Sequence, residues 1–229
     1  MPHLSIFDIA GPIMVGPSSS HTAGACKIGQ FARALFHKTP QKVTFYLHGS
    51  FGEVYKGHAT DKALLGGVMK FRTSDSDIKN AFEIAKEKGI KYEFIKKNLG
   101  LKWHPNTVKI VLEDGKYKMA VIGSSIGGGM IEILQIDSFK VHIRGRAGKH
   151  LSLVVMHDKS PSVTRAVVKY INSLGGIAVD EVVGQSLKDK TLSVVSMEGR
   201  RILLSEVMEL EKIKGVDYAR ALSKLQKQQ

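Results

Sequence analysis

Hydroxyls and an imidazole crowd the segment Gly16-Pro17-Ser18-Ser19-Ser20-His21-Thr22, and small residues follow at once: Ala23, Gly24, Ala25 and Cys26. Ala25, Ile28, Ala32 and Leu35 then recur at helical spacing. A helix start presents unpaired backbone N–H groups and the positive end of a dipole. Hydroxyl donors and a His placed there make a site for a carboxylate or a phosphate. The small residues let a ligand or another backbone approach closely. One Ser or Thr suffices for an N-cap, so capping alone does not account for the cluster.

Three more segments hold residues of the same kind. Gly57-His58-Ala59-Thr60-Asp61 places a His before a helix start, with Thr60 and Asp61 as candidate caps. Trp103-His104-Pro105-Asn106-Thr107 precedes a strand; Pro and Asn are turn residues, but a bulky Trp-His pair is not what a turn requires. Gly123-Ser124-Ser125-Ile126-Gly127-Gly128-Gly129 reads as a glycine loop between two strands, suited to a bulge or to contact with a ligand or subunit. Gly123-x-Ser125-x-Gly127 also matches the hydrolase nucleophile elbow, but that elbow leads into a helix, and here an apolar strand, Met130–Ile136, follows. If His21, His58 and His104 gather in one pocket, a three-His zinc site is conceivable. None of them shares a His-x-x-x-His pair, which favours proton handling and carboxylate binding over metal ligation. Neither a Gly-x-x-x-x-Gly-Lys phosphate loop nor a dinucleotide fingerprint is present.

The elements that must position these segments follow from periodicity. Helices are expected over 22–36, 60–71 and 76–88, and strands over 43–47, 92–95, 107–113, 118–122, 130–136 and 139–143. Asp114-Gly115 marks a tight turn between two of the strands. The pattern suggests an antiparallel sheet with helices on one face. A glycine- and charge-rich stretch, Arg144-Gly145-Arg146-Ala147-Gly148-Lys149, separates this region from a second one and sets expected domains at 1–146 and 149–229. In the second region, strands at 151–156, 177–187, 191–197 and 216–220 and helices at 163–174 and 203–210 give the order β-α-β-β-α-β, the ferredoxin-like unit. Pro161 sits near the first position of the earlier helix.

The chain has 229 residues, 43% of them hydrophobic, enough for one large or two modest cores. No apolar run reaches membrane-spanning length, and Met1–Asp8 lacks the pattern of a signal peptide. One cysteine, Cys26, excludes an internal disulfide or an iron–sulfur cluster held by this chain alone, and fits a reducing cytoplasmic setting. The net charge of +13 raises the question of nucleic acid, but the lysines are scattered, aromatics make up 7%, and single-strand-binding motifs are absent. A solvated basic surface that steers an anionic substrate or docks an acidic subunit accounts for it better.

The second region resembles an ACT domain, a small amino-acid-sensing or dimerising module. That likeness makes Asp158 and Ser160 candidate ligand residues and implies self-association. Ser162 stands where such turns carry Gly, which favours assembly over sensing. Taken in order, Gly11-Pro12, Gly16–Thr22, Gly57-His58-x-Thr60-Asp61-x-Ala63, His104-Pro105-Asn106-Thr107, Ser125–Gly129 and the ACT-like tail resemble the β subunit of bacterial iron–sulfur-dependent L-serine dehydratase. The resemblance implies an α+β chain. Its N-terminal mixed α/β domain would be similar to the allosteric substrate-binding domain of some phosphoglycerate dehydrogenases. It implies a lyase that converts L-serine to pyruvate and ammonia, with a [4Fe–4S] cluster held by a partner α subunit and the isolated chain inactive. It further implies that Ser18, Ser19, Ser20, His21 and Thr22 hold the serine carboxylate. His58 and His104, with His21, would handle protons, Asn106 and Thr107 would orient the substrate, and Gly127, Gly128 and Gly129 would make backbone or subunit contacts. The reading from a different class is a regulatory module that senses an amino acid or anion and dimerises through its second domain.

Overall fold

The computed structural model describes residues 13–144, 151–175, 177–182, 186–187, 189–198 and 202–222. They fall into two compact units, the first built on a six-stranded sheet and the second on a five-stranded one. The expected domain junction at 145–149 lies outside the described residues.

The first unit opens with a π-helical turn, Ser19–Gly24, which runs straight into α1, Ala25–Phe36. A single α-helix was the expectation from Thr22. The wider turn is held from outside: buried Thr22 donates through Oγ1 to the His58 carbonyl at 3.0 Å. Wide turns of this kind are rare and recur at functional sites. β1 (Lys42–Leu47) follows, with Val43, Phe45 and Leu47 buried. The short helix α2 (Ser50–Val54) and then α3 (Thr60–Val68) come next. The predicted helix over 76–88 divides into a 3₁₀ turn, Ser76–Asn80, and α4, Ala81–Glu87. The remaining strands are β2 (Lys91–Lys96), β3 (Thr107–Glu113), β4 (Lys118–Gly127), β5 (Met130–Ile136) and β6 (Phe139–Arg144).

The sheet order is β2-β1-β3-β4-β5-β6. β1 pairs in parallel with β2 and antiparallel with β3, so the sheet is mixed rather than wholly antiparallel. The helices between β1 and β2 supply the crossover that a parallel pair requires. Residue periodicity carries no information about that pairing. α1 packs on β3 and β4, and α3 packs on α1. The two helices cross where side chains are missing. A Cβ on Gly67 would lie 2.9 Å from the Gln30 N and closer to the Cys26 carbonyl oxygen, and one on Gly29 would press on the Leu64 carbonyl.

The glycine segment differs from the expected loop. β4 continues to Gly127, with Ser124 and Ser125 inside the strand and fully buried. Ser124 pairs with Thr107 on β3 and with Glu132 on β5. The register shifts between Ser125 and Gly127, a bulge, and Gly127, Gly128 and Gly129 all have positive φ. No helix follows Ser125, so the hydrolase elbow is absent.

The second unit comprises β7 (Leu151–Asp158), α5 (Pro161–Ser173), β8 (Ile177–Val182), β9 (Ser186–Leu187), β10 (Lys190–Glu198), α6 (Leu204–Glu211) and β11 (Val216–Leu222). Its sheet runs β11-β7-β10-β8, with β10 inserted antiparallel between β7 and β8. The predicted strand over 177–187 appears as two pieces, with 183–185 outside the described residues. Leu153 and Val155 meet Val167 and Ile171 of α5, Leu174 just past its end, and Val207 and Leu210 of α6 in one core. Tyr170 ties the two helices through a 3.1 Å bond to the Glu206 carbonyl.

Candidate functional site

The chemistry-bearing segments of the first unit meet at one end of its sheet. β1 and β4 end there, β3 and β5 begin there, and the start of α1 packs against them. Ser18 caps the π-helical turn: its extended backbone turns the chain, and its Oγ accepts the His21 N–H at 3.1 Å. The Ser18 carbonyl accepts from the amides of Thr22 and Ala23. Ser18, Ser19, Ser20 and His21 are all half-buried.

His21 is the centre of the arrangement. Its Nε2 lies 3.0 Å from the Ser50 Oγ, its ring meets Phe51 edge-on at 5.4 Å, and the His58 ring is tilted against it at 4.9 Å. Burial, and then the neighbouring His58, push its pKa below the usual 6.5. The imidazole is therefore neutral near pH 7 and able to take up a proton.

The segment at 57–61 does not close as a simple cap. Ala59, a residue with a Cβ, is held left-handed at φ 53° before α3. Such conformations concentrate at functional sites. Thr60 is fully buried with its hydroxyl unpartnered, so it caps nothing. Asp61 accepts from the Lys62 N–H at 2.8 Å, and burial raises its carboxyl above the ordinary range.

His104 is exposed, and its Nδ1 accepts from the Asn106 N–H at 3.1 Å. Pro105 backs onto Gly49, and its carbonyl accepts the Phe51 N–H. The loop of His104 thus leans on the residues that touch His21. His21 and His58 are in ring contact; the described contacts of His104 are with its own loop. The Thr107 hydroxyl lies 2.6 Å from both the His104 carbonyl and the Ser124 Oγ. Asn106 accepts the Ser125 N–H through its carbonyl. The Ser125 hydroxyl is fully buried and unpartnered, lying against Gly24 of the π-helical turn.

Sequence reasoning did not find Ser50 and Phe51, because nothing local marks them; only the fold brings them to His21. Lys27 did carry a signal. It interrupts the apolar face of α1, and the structure buries it with its ammonium 2.7 Å from the Gly129 carbonyl. Cys26 is buried beside it, and burial pushes its thiol up to about 12, leaving it inert. Among the described residues, no group of three or more His, Cys, Asp or Glu is arranged to hold a metal ion. In the second unit Asp158 binds Lys190, which also reaches Asp217, and Ser160 bonds Ser162. These two carboxylates raise the Lys190 pKa, Asp158 first.

The family model described as serine dehydratase beta chain matches residues 5–135, the stretch that carries every segment of this site. The chain belongs to that family. A probable L-serine dehydratase beta chain of Bacillus subtilis is 42% identical over 183 residues, covering 78% of this chain and 81% of the relative. An L-serine dehydratase beta chain of Peptoniphilus asaccharolyticus is 44% identical over 176 residues, 76% of each chain. An L-serine dehydratase of Helicobacter pylori is 31% identical over 151 residues, which span 56% of this chain and 32% of that protein. Among the described residues no helix is long and apolar enough to cross a membrane.

Proposed function

We propose that this chain is the non-cluster subunit of an L-serine ammonia-lyase, acting with a partner α subunit to convert L-serine to pyruvate and ammonia. What supports the reading most is the coincidence of two observations. The family match covers 5–135, and within it four separated segments fold to one sheet end around His21. The partial span of the Helicobacter relative fits the same division of labour, with the rest of the enzyme supplied by another chain.

The residues present do not suit an iron–sulfur cluster. One cysteine is available, and it is buried with its thiol kept protonated. The cluster in this reading belongs to the partner's cysteines, and no step here is drawn through it.

This chain supplies binding and proton handling. The amides and hydroxyls of Ser18, Ser19 and Ser20 at the opening of a helix suit the serine carboxylate. Neutral His21, oriented by Ser50 and backed by His58, holds or passes a proton. Thr22 does not face the substrate in this account; its hydroxyl is committed to the His58 carbonyl and fixes the distance between the two histidines. His104, Asn106 and Thr107 complete the rim, and Gly127, Gly128 and Gly129 face the partner. We read 1–146 as the serine dehydratase β domain, similar to the substrate-binding domain of phosphoglycerate dehydrogenases. We read 149–229 as an ACT domain with the ferredoxin-like order, which self-associates. Asp158 and Ser160 are its weaker candidate ligand residues, since Lys190 and Ser162 already engage them. The setting is cytoplasmic.

Anaerobic affinity capture of the full chain from native extract tests the reading. A cysteine-rich partner, with iron and sulfide in the complex and pyruvate formed from L-serine, is the expected result. Capture of the chain alone, or with nucleic acid, contradicts it.

A further inference from the structure

Lys27 is a buried cation of the first unit for which the account above has no use. It projects from α1, 7% exposed, and its ammonium donates to the Gly129 carbonyl at 2.7 Å. An ammonium has three donors; one is committed here. Among the described residues no carboxylate pairs with it, and burial lowers its pKa. An unpaired buried charge is unfavourable unless something negative compensates it.

Its position says where that something binds. Gly24, one helical turn earlier, packs on Ser125, and Ile28, the next residue along, packs on Gly123. Lys27 therefore lies on the helix face that meets β4. It reaches the β4–β5 turn at the sheet end that carries the π-helical turn, His104–Thr107 and Ser125. At the same end the Ser125 hydroxyl is buried with no partner, a second donor without an acceptor. L-Serine brings a carboxylate, and the site described so far offers it hydroxyls, amides and a neutral imidazole but no fixed positive charge.

We propose that Lys27 is a substrate-binding residue, the fixed charge that draws the substrate carboxylate to the π-helical turn, with the Ser125 hydroxyl as an additional donor. The inference rests on the L-serine ammonia-lyase reading. It assigns discrimination for a free α-carboxylate to Lys27, over amides or esters of the same amino acid.

The test uses the chain assembled with its cluster-bearing partner. Lys27→Met keeps length and removes charge; Lys27→Arg keeps charge. The expected result for Lys27→Met is a KM for L-serine raised tenfold or more, kcat within about threefold and an unchanged or higher melting temperature, because a buried charge has been replaced by an apolar group. Lys27→Arg restores most of the KM. Inhibition by L-serinamide, which lacks the carboxylate, is the same in wild type and Lys27→Met. Calorimetry of L-serine on complex prepared without iron gives a matching loss of affinity. A lowered melting temperature and kcat with KM unchanged would overturn the proposal and leave Lys27 as a strut for the glycine turn. If Lys27→Met does not fold, Ser125→Ala decides: a raised KM supports the proposal and an unchanged KM overturns it. A wild-type complex that forms no pyruvate from L-serine refutes the underlying reading instead, which separates the two failures.

Discussion

Gly24 is where the opening turn touches the Ser125 strand, and replacing it should expose that contact as a measurable coupling. Its backbone is ordinary right-handed helix, φ −61° and ψ −45°, so glycine is not needed for conformation. It is needed for space: a Cβ would lie 2.7 Å from the Ser125 Cβ and closer to its Oγ. Glycine to alanine in a helix ordinarily gains about 0.5–1 kcal/mol. Overlap of about one methyl group in a packed site costs about 1–3 kcal/mol. Gly24→Ala is therefore expected to lose about 0–2.5 kcal/mol net when Ser125 is present. In the Ser125→Gly background the overlap disappears, and the same substitution should gain about 0.5–1 kcal/mol. The difference between the two effects, the coupling, equals the overlap energy alone, about 1–3 kcal/mol. The assay is urea unfolding of the four proteins of the cycle, followed through Trp103. It is the chain's one tryptophan, it lies in the first unit, and it reports that unit without the second. If Gly24→Ala stabilises by the same amount in both backgrounds, the turn and the strand are not in contact, and the convergence on which the site depends is refuted.

Four further outcomes follow from particular contacts. His21 has its pKa lowered in the folded chain, so the unfolded chain binds the proton first as pH falls. Stability should therefore decline as pH drops below about 6.5, and His21→Asn should flatten that slope in urea unfolding. In His58→Gln the neighbouring imidazole is gone, and the His21 resonance should titrate closer to its ordinary value by NMR, burial remaining the larger cause; no change would remove His58 as a cause. Cys26, with its thiol raised to about 12 and buried, should resist iodoacetamide in the native chain and react only at the unfolding rate, as read by mass spectrometry. Gly67→Ala presses a methyl group onto the Cys26 carbonyl at the α1–α3 crossing and should cost at least about 1–3 kcal/mol, read as a lowered urea midpoint.

Much of the fold is legible in the sequence wherever one face of an element is buried. The alternation Val43, Phe45, Leu47 and the helical spacing of Val163, Val167, Tyr170, Ile171 and Leu174 put these residues in their observed elements, because burial follows periodicity. Three features were not legible, each for a tertiary reason. The parallel pairing of β1 with β2 is a long-range choice made by the helical crossover. The π-helical turn exists because Thr22 bonds the His58 carbonyl, which is 36 positions away. β4 runs into the glycines because Ser124 is paired on both sides and Ser125 with Ile131 of β5, and composition alone marks such a stretch as loop. The site divides in the same way. His21, His58 and the serines stand out as unusual residue types for a cap or a turn. Ser50 and Phe51 are ordinary in sequence and acquire their role from position. Thr60 looks like a cap by type, yet its hydroxyl makes no capping bond.

The most direct test of the account is steady-state pyruvate formation from L-serine by the anaerobically assembled complex, comparing wild type with His21→Ala. The account predicts activity only when both chains are present. It also predicts that His21→Ala assembles with the partner, retains its iron and loses at least about a hundredfold in kcat, the contribution typical of a positioned proton-transfer group. A His21→Ala complex that assembles and turns over at the wild-type rate would contradict the claim that this chain builds half of the active site around His21.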